Sequence, residues 1–120
     1  MSWDADLIDD RGHNEGSWNF THNCNGMIAA AMETLGQPRP PEASRILPIG
    51  PAWWYSLDGK SGPEGKAFLA GIIGALEADP LHFKAMNPAN GWGSYEQLLE
   101  TLRSMRDAVP AWPTTWSANG

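Results

Sequence analysis

The chain has 120 residues, a length that suits one domain with a modest hydrophobic core. Hydrophobic residues make up 42% and charged residues 18%, which excludes a typical disordered protein. The net charge of −6 disfavours a nucleic-acid-binding surface, because such a surface needs a basic patch. We expect a single domain over residues 1–120 that does not bind nucleic acid directly.

The single cysteine, Cys24, precludes an internal disulfide bond and is typical of a reducing compartment. The first residues show neither the basic nor the apolar segment of a secretion signal. No apolar run approaches the roughly 20 residues that span a bilayer. We therefore expect a cytoplasmic protein that has no membrane contact.

The N-terminal part of the chain predicts a β-hairpin followed by a helix. Residues 3–8 and 17–21 alternate between polar and apolar side chains, on either side of a turn-rich segment. Asn23 is a good N-cap residue for the first helix, and Gly36 suits its C-terminal end. The apolar residues between them recur at helical spacing: Met27, Ile28, Ala31, Met32 and Leu35.

The middle of the chain predicts an extended connection and then a second helix. Residues 37–51 contain five prolines and are expected to be extended, and residues 53–57 to form a brief edge strand or to cover a pocket. Pro63 suits the first turn of the second helix, whose apolar side chains share one face. Gly71 and Gly74 disfavour that helix by about 1 kcal/mol each relative to alanine, which suggests close packing there. A short turn capped by Asp79 is expected to direct its apolar side chains inward: Leu81, Phe83 and Met86.

The C-terminal part predicts a third helix and a returning strand. Ser94 and Gln97 have the spacing of a capping box, and Pro110 ends the apolar stripe that follows. Residues 111–117 alternate and are expected to lie beside the N-terminal hairpin. The predicted fold is α+β, with about three helices packed on a small, mostly antiparallel sheet of N- and C-terminal strands.

Seven tryptophans are the compositional outlier of this chain. A core of this size accommodates about three or four such rings, each burying roughly 150–250 Å². The surplus favours stacking on a ligand ring, docking of a partner protein, or contacts in a homo-oligomer.

Two polar junctions are the candidate binding residues. Asn19, Thr21 and Asn23 alternate, so on an extended chain their side chains share one face and can read the edge of a base, amide or sugar. His22, at the spacer position between Thr21 and Asn23, is also a candidate binding residue. The competing interpretation is that the residues of this junction only cap and form turns. The second junction opens the last helix, where unpaired N–H groups suit an anion or a carbonyl. If the two helix starts face one another, they form one shared pocket, with Trp92, Tyr95 and one of Trp53 or Trp54 as walls. The candidate residues of the second junction are Asn87, Asn90, Gly91, Trp92, Gly93 and Tyr95.

Catalytic and metal-binding motifs are weak in this chain. The stretch from Asp9 to Cys24 holds several potential ligands, but their spacing matches no zinc arrangement and the cysteine lacks a CxxC partner. Cys24 with His22 or His82 is a possible nucleophile and base, although a cysteine at a helix start is more often a packing residue. No catalytic residue, metal or cofactor is therefore assigned, and an enzyme is the less favoured class.

The Asn19-x-Thr21-x-Asn23 row and the Asn87-Pro88-x-Asn90-Gly91-Trp92-Gly93 turn together resemble a group of small acidic proteins of actinobacteria and their phages. The resemblance covers most of residues 3–117 and implies no known activity. It implies an accessory setting in the host cytoplasm, where proteins that capture a signal nucleotide and blunt a defence response are one known theme.

Three functions remain open from the sequence. The first is non-enzymatic binding of a small polar or nucleotide-like ligand, with the asparagines reading ring edges and an indole covering them. The second is an interaction or inhibitor module that docks a partner protein through exposed tryptophans. The third is a small hydrolase-like enzyme that uses the same pocket.

Overall fold

The computed structural model describes residues 2–21, 25–34, 54–87 and 94–119. These residues form a three-stranded antiparallel sheet with helices, which confirms the predicted α+β class. They contain five helical segments rather than about three, because Trp54–Leu57 was not expected to be helical and the short turn expected after Asp79 is a helix of five residues. In chain order the elements are β1 Ser2–Asp9, β2 Asn14–Thr21, α1 Asn25–Thr34, α2 Trp54–Leu57, α3 Gly62–Ala78, α4 Pro80–Lys84, α5 Tyr95–Asp107 and β3 Thr114–Asn119.

The sheet has the order β2-β1-β3, with β1 antiparallel to both neighbours. The predicted hairpin over residues 3–21 is present, and β3 returns beside β1 as expected. The hairpin turn is held by Asp9, whose Oδ1 accepts hydrogen bonds from the Arg11 N–H at 2.9 Å and the His13 N–H at 2.8 Å. Gly12 within this turn has a φ of 83°, a conformation that glycine adopts without steric cost.

The segment between α2 and α3 covers the outer edge of β3. The Trp116 N–H donates to the Lys60 carbonyl at 2.8 Å, and the Gly59 N–H donates to the Trp116 carbonyl at 2.8 Å. The Ala118 N–H donates to Asp58 Oδ1 at 2.9 Å. Of the two alternatives for residues 53–57, the edge strand was wrong, because Trp54–Leu57 is helical and the residues after it pair with the sheet instead. That this segment covers a pocket stays a prediction.

The two faces of the sheet differ in polarity. Side chains from all three strands enter the core on one face: Ala5, Leu7, Phe20, Trp116 and Ala118. The other face carries two cross-strand rows, because Asp4 pairs with both Asn19 and Asn119, and Asp6 pairs with both Ser17 and Ser117. This division follows from the two-residue periodicity of a strand, which sends neighbouring side chains to opposite faces.

Helix α3 packs closely against the sheet through a glycine. A Cβ atom at Gly65 would overlap the Trp116 indole, and the Trp116 Nε1–H donates to the Gly62 carbonyl at 3.3 Å. Gly74 of the same helix has no atom within 4 Å of a Cβ position and is exposed. Close packing was expected at Gly71 and Gly74. It is absent at Gly74, and α3 makes close approaches at Gly65 and at Gly62, where a Cβ atom would overlap Thr114 Oγ1.

The short helix α4 directs one apolar side chain inward rather than three. Phe83 is 2% exposed, whereas Leu81 is 82% exposed and Met86 is 38% exposed. A single turn of helix presents only one narrow stripe to the core, and Leu81 falls outside it. Met86 lies in the turn after the end of α4. Within the described residues no helix has the length and apolarity that crossing a membrane requires.

Candidate functional site

The turn that precedes α5 uses Asn87 to hold the start of that helix. Asn87 Oδ1 accepts a hydrogen bond from the Tyr95 N–H at 2.8 Å. Ser94 and Gln97 form the predicted capping box, with Ser94 Oγ accepting from the Gln97 N–H and Gln97 Oε1 accepting from the Ser94 N–H, both at 3.3 Å. Two N–H groups of the first turn, those of Tyr95 and Gln97, are therefore occupied by the chain itself. The remaining candidates of this turn, Asn90, Gly91, Trp92 and Gly93, lie outside the described residues.

Tyr95 lies in the core between α3 and α5. It is 5% exposed, and its hydroxyl donates to the Leu76 carbonyl at 2.8 Å. In an α-helix that carbonyl would accept from the N–H four residues later, but residue 80 is proline and has none. Tyr95 therefore supplies the missing donor near the C-terminal end of α3.

The surroundings of Tyr95 keep its hydroxyl neutral. Burial raises the pKa of Tyr95, and the Glu77 carboxylate acts in the same direction. The Arg103 guanidinium opposes this shift, and the Glu96 carboxylate adds the smallest of these effects. The Lys84 ammonium lies 5.5 Å from the centroid of the ring. These contacts are those of a packing residue that also closes a helix end.

The polar row on β2 is engaged with the neighbouring strand. Asn19 Nδ2 donates to Asp4 Oδ1 at 2.7 Å, and Ser17 Oγ donates to Asp6 Oδ1 at 2.6 Å. Asn19 and Thr21 occupy alternate positions of β2, as the shared-face prediction requires. His22 and Asn23 lie outside the described residues.

The junctions at residues 19–25 and 87–95 are each described only in part. The structure places Asn19 and Thr21 on β2, Asn87 before α5, and Tyr95 in the first turn of α5. Trp54 begins α2, but its side chain lies outside what the structure describes. A common pocket under an indole stays a prediction.

Asp9, a potential metal ligand or catalytic acid, serves the hairpin turn. Its Oδ2 lies 3.6 Å from His13 Nδ1, and its side chain is only 10% exposed. Burial raises the pKa of Asp9, but the N–H groups of His13 and Arg11 outweigh it and leave the pKa below its ordinary value. Among the described residues no three His, Cys, Asp or Glu side chains converge as a metal site requires.

Two tryptophans show contrasting environments at the sheet. The Trp18 ring centroid lies 5.7 Å from that of Trp116, and Trp18 Nε1–H donates to Ser104 Oγ of α5 at 3.1 Å. Trp112 is 54% exposed, yet its Nε1–H donates to Glu15 Oε1 at 3.1 Å. Trp112 is thus a large aromatic surface held in a defined orientation.

Sequence reasoning missed the pairing of Trp112 with Glu15, because 97 positions separate them and no local motif links them. It also missed the capping box at the start of α3, where Ser61 Oγ accepts from the Glu64 N–H at 3.3 Å and Glu64 Oε1 accepts from the Ser61 N–H at 3.2 Å. The capping box of Ser61 and Glu64 could have been predicted from the sequence, since these residues have the same spacing as Ser94 and Gln97.

Scans of the chain against protein-family models, curated proteins and solved structures find no match. The geometry of the described residues is therefore the basis for a functional proposal.

Proposed function

We propose that the protein is a non-enzymatic docking module that binds a partner protein at the end of its sheet where Trp112 lies. The observation that carries this proposal is that Trp112 is 54% exposed while its indole N–H is bonded to Glu15. Exposed tryptophans are enriched among the residues that dominate binding energy in protein interfaces.

The residues around Trp112 restrict its conformation before binding, which reduces the conformational entropy lost when a partner binds. Pro110 and Pro113 flank it at close range, and proline restricts the backbone. The hydrogen bond to Glu15 restricts the indole itself. A side chain that is ordered before binding loses less conformational freedom when a partner covers it.

The described members of the predicted ligand pocket give less support to small-molecule capture than to docking. Tyr95 is a core residue, the Asn87 oxygen is bonded to the Tyr95 N–H, and Asn19 is bonded to Asp4. These groups contribute to the fold, whereas more than half of the Trp112 residue is exposed to solvent. In the phage setting that the resemblance implies, the docked partner would be a component of a host defence system.

A peptide-display selection tests the docking proposal. Random peptides would be selected against the wild-type protein alone, and the affinity of each binder would then be measured for the wild type and for Trp112→Ala, with circular dichroism as a check that both proteins are folded. We expect peptides that bind the wild type and lose at least about 2 kcal/mol of binding free energy with the variant, the loss typical of a dominant interface residue. Binders that retain full affinity for the variant, or no binders at all, would contradict the proposal.

A second candidate is binding of a small polar or nucleotide-like ligand at the turn before α5. The observation that favours it is Asn87, which is exposed and whose oxygen is bonded to the Tyr95 N–H. That bond identifies the oxygen end of the carboxamide and leaves the NH2 end to donate to a carbonyl or phosphate.

Thermal-shift measurements with mono-, di- and cyclic nucleotides test this second candidate, because a ligand that binds the folded state raises the melting temperature. The informative variant is Asn87→Asp, which keeps an acceptor for the Tyr95 N–H and removes the NH2 donors. We expect a nucleotide-dependent shift in the wild type that is lost in Asn87→Asp. Equal shifts in both proteins would exclude a role for this carboxamide.

A further inference from the structure

Trp112 spans the end of the sheet from one outer strand to the other. It lies two residues before β3, and its partner Glu15 lies on β2, with β1 between them. The last residue of β1, Asp9, pairs with Thr114 at the start of β3. Together with Asp10 of the hairpin turn, Trp112, Glu15 and Asp9 form what we term the sheet-end patch.

A β-bulge explains why Glu15 can reach the indole. Leu7 pairs with Gly16 and Ile8 pairs with Asn14, so Glu15 is the extra residue on β2. A bulge bends the strand and re-aims the side chain of the unpaired residue. In Glu15 the carboxylate is directed along the sheet end to Trp112 Nε1.

The sheet-end patch combines a π face with negative charge. The indole donates its N–H to a carboxylate, so the edge of the ring faces an anion while more than half of the residue stays exposed. The hairpin turn and the bulge contribute three carboxylates, from Asp9, Asp10 and Glu15, against the guanidinium of Arg11 and the imidazole of His13, which lies 3.6 Å from Asp9 Oδ2. A cation over an indole face is attracted by the ring quadrupole, and nearby carboxylates strengthen that attraction.

We infer that the sheet-end patch binds a guanidinium or ammonium side chain of a basic segment in the partner protein. This inference rests on the proposed docking function and names the chemistry of its partner. The net charge of −6 disfavours a second copy of the chain as the occupant, because two acidic surfaces would be brought together. A basic segment instead brings charge complementarity to both the indole and Glu15.

The inference is tested with a blocked glycine–arginine–glycine peptide and its citrulline counterpart, which has nearly the same shape and no charge. Binding would be followed through the Trp112 indole N–H signal in ¹H–¹⁵N spectra at low salt. We expect the arginine peptide to bind about three- to thirtyfold more tightly than the citrulline peptide, which combines an exposed cation–π contact with a surface ion pair. Added salt should reduce the difference, because it screens exposed charges.

Two variants with the same change in net charge test whether binding of the arginine peptide depends on the sheet-end patch or on the overall charge of the protein. Glu15→Gln keeps an oxygen that can accept from the indole but removes the carboxylate charge next to the ring, one of the three in the sheet-end patch, and should lower affinity for the arginine peptide. Asp4→Asn removes a charge from the polar face of the sheet and should leave that affinity within about twofold, as expected for a remote exposed charge. Equal losses in both variants would indicate general attraction to an acidic protein and would overturn the inference.

The docking proposal and the cation inference fail in different ways. Display-selected peptides that depend on Trp112 but lack Lys and Arg would retain the docking function and overturn the inference. An absence of any Trp112-dependent peptide would overturn the docking function itself. Enrichment of Lys or Arg in Trp112-dependent peptides, together with the arginine–citrulline difference, would support both.

Discussion

Tyr95 illustrates how a residue with the chemistry of a ligand-binding wall can instead serve the fold. Its ring and hydroxyl suit stacking and hydrogen bonding to a ligand. Its position at the start of α5 brings the hydroxyl to the Leu76 carbonyl, whose usual helical partner is replaced by Pro80. An unsatisfied buried carbonyl is costly, so the hydroxyl is used where the helix end needs a donor.

Replacing Tyr95 with phenylalanine should therefore destabilise the protein. Tyr95→Phe keeps the ring and removes only the donor to the Leu76 carbonyl, so we expect a loss of about 1–2 kcal/mol in the free energy of unfolding. Urea denaturation followed by circular dichroism would measure it. A variant as stable as the wild type would show that another donor replaces the hydroxyl.

The same residue predicts a dependence on alkaline pH. The folded-state pKa of Tyr95 is raised above its ordinary value of 10.0, chiefly by burial. The neutral hydroxyl contributes stability that is complete below pH 10.0 and is lost as pH rises through the folded-state pKa, because the unfolded state ionises first. Stability measured from pH 8 upward should fall more steeply for the wild type than for Tyr95→Phe. If stability falls equally steeply with pH in both proteins, the loss of stability at alkaline pH is due to other groups.

At the scale of elements, α3 contains glycines with opposite roles. Gly65 allows the helix backbone to approach the Trp116 indole, while Gly74 faces open space. By helix propensity alone the two positions are equivalent, since a glycine at either one disfavours a helix by about 1 kcal/mol relative to alanine. The packing partner of each position decides whether a side chain can be added.

The two glycines form a matched pair of alanine substitutions. Gly65→Ala should destabilise the protein by about 1–3 kcal/mol, because the added methyl overlaps a buried indole and forces repacking. Gly74→Ala should stabilise it by about 0.5–1 kcal/mol through helix propensity. Thermal and urea unfolding of both variants would test the pair. A destabilised Gly74→Ala would indicate a contact near this face of α3.

At the scale of the whole molecule, the segment between α2 and α3 ties distant parts of the chain to the sheet. Its residues pair with β3 through Gly59, Lys60 and Asp58, about 60 positions earlier in the sequence. An edge strand with unpaired N–H and C=O groups is prone to association, and this segment covers those of β3. The C-terminal strand is thereby joined to both β1 and the helical layer.

The contact between Asp58 and the Ala118 N–H provides a test of that connection. Asp58→Ala should cost about 1–2 kcal/mol of unfolding free energy, because a partly buried N–H loses a charged acceptor. Asp58→Asn keeps an acceptor oxygen and should cost less than half as much, as a neutral hydrogen bond is weaker than a charge-assisted one. Hydrogen exchange of the Ala118 amide would report on the bond directly, and unchanged protection in Asp58→Ala would contradict its role.

The sequence by itself determined the elements whose signals are local. The alternation of residues 3–8 and 17–21 corresponds to β1 and β2, and the Ser94–Gln97 spacing corresponds to the capping box of α5. Such signals are readable because strand periodicity and helix capping involve residues that are only a few positions apart. The α+β class followed from the order of these elements.

Only the tertiary structure decided which side chains stabilise the fold and which remain exposed and able to contact a ligand or a partner protein. The indole of Trp112 could have been a core ring or a surface ring, and its bond to Glu15 depends on a bulge and on the strand order. The hydroxyl of Tyr95 could have faced a ligand, and its use depends on how α5 lies against the end of α3. These outcomes depend on contacts between residues far apart in the chain, where no local pattern records the partner and where burial and hydrogen-bond satisfaction are settled only on folding.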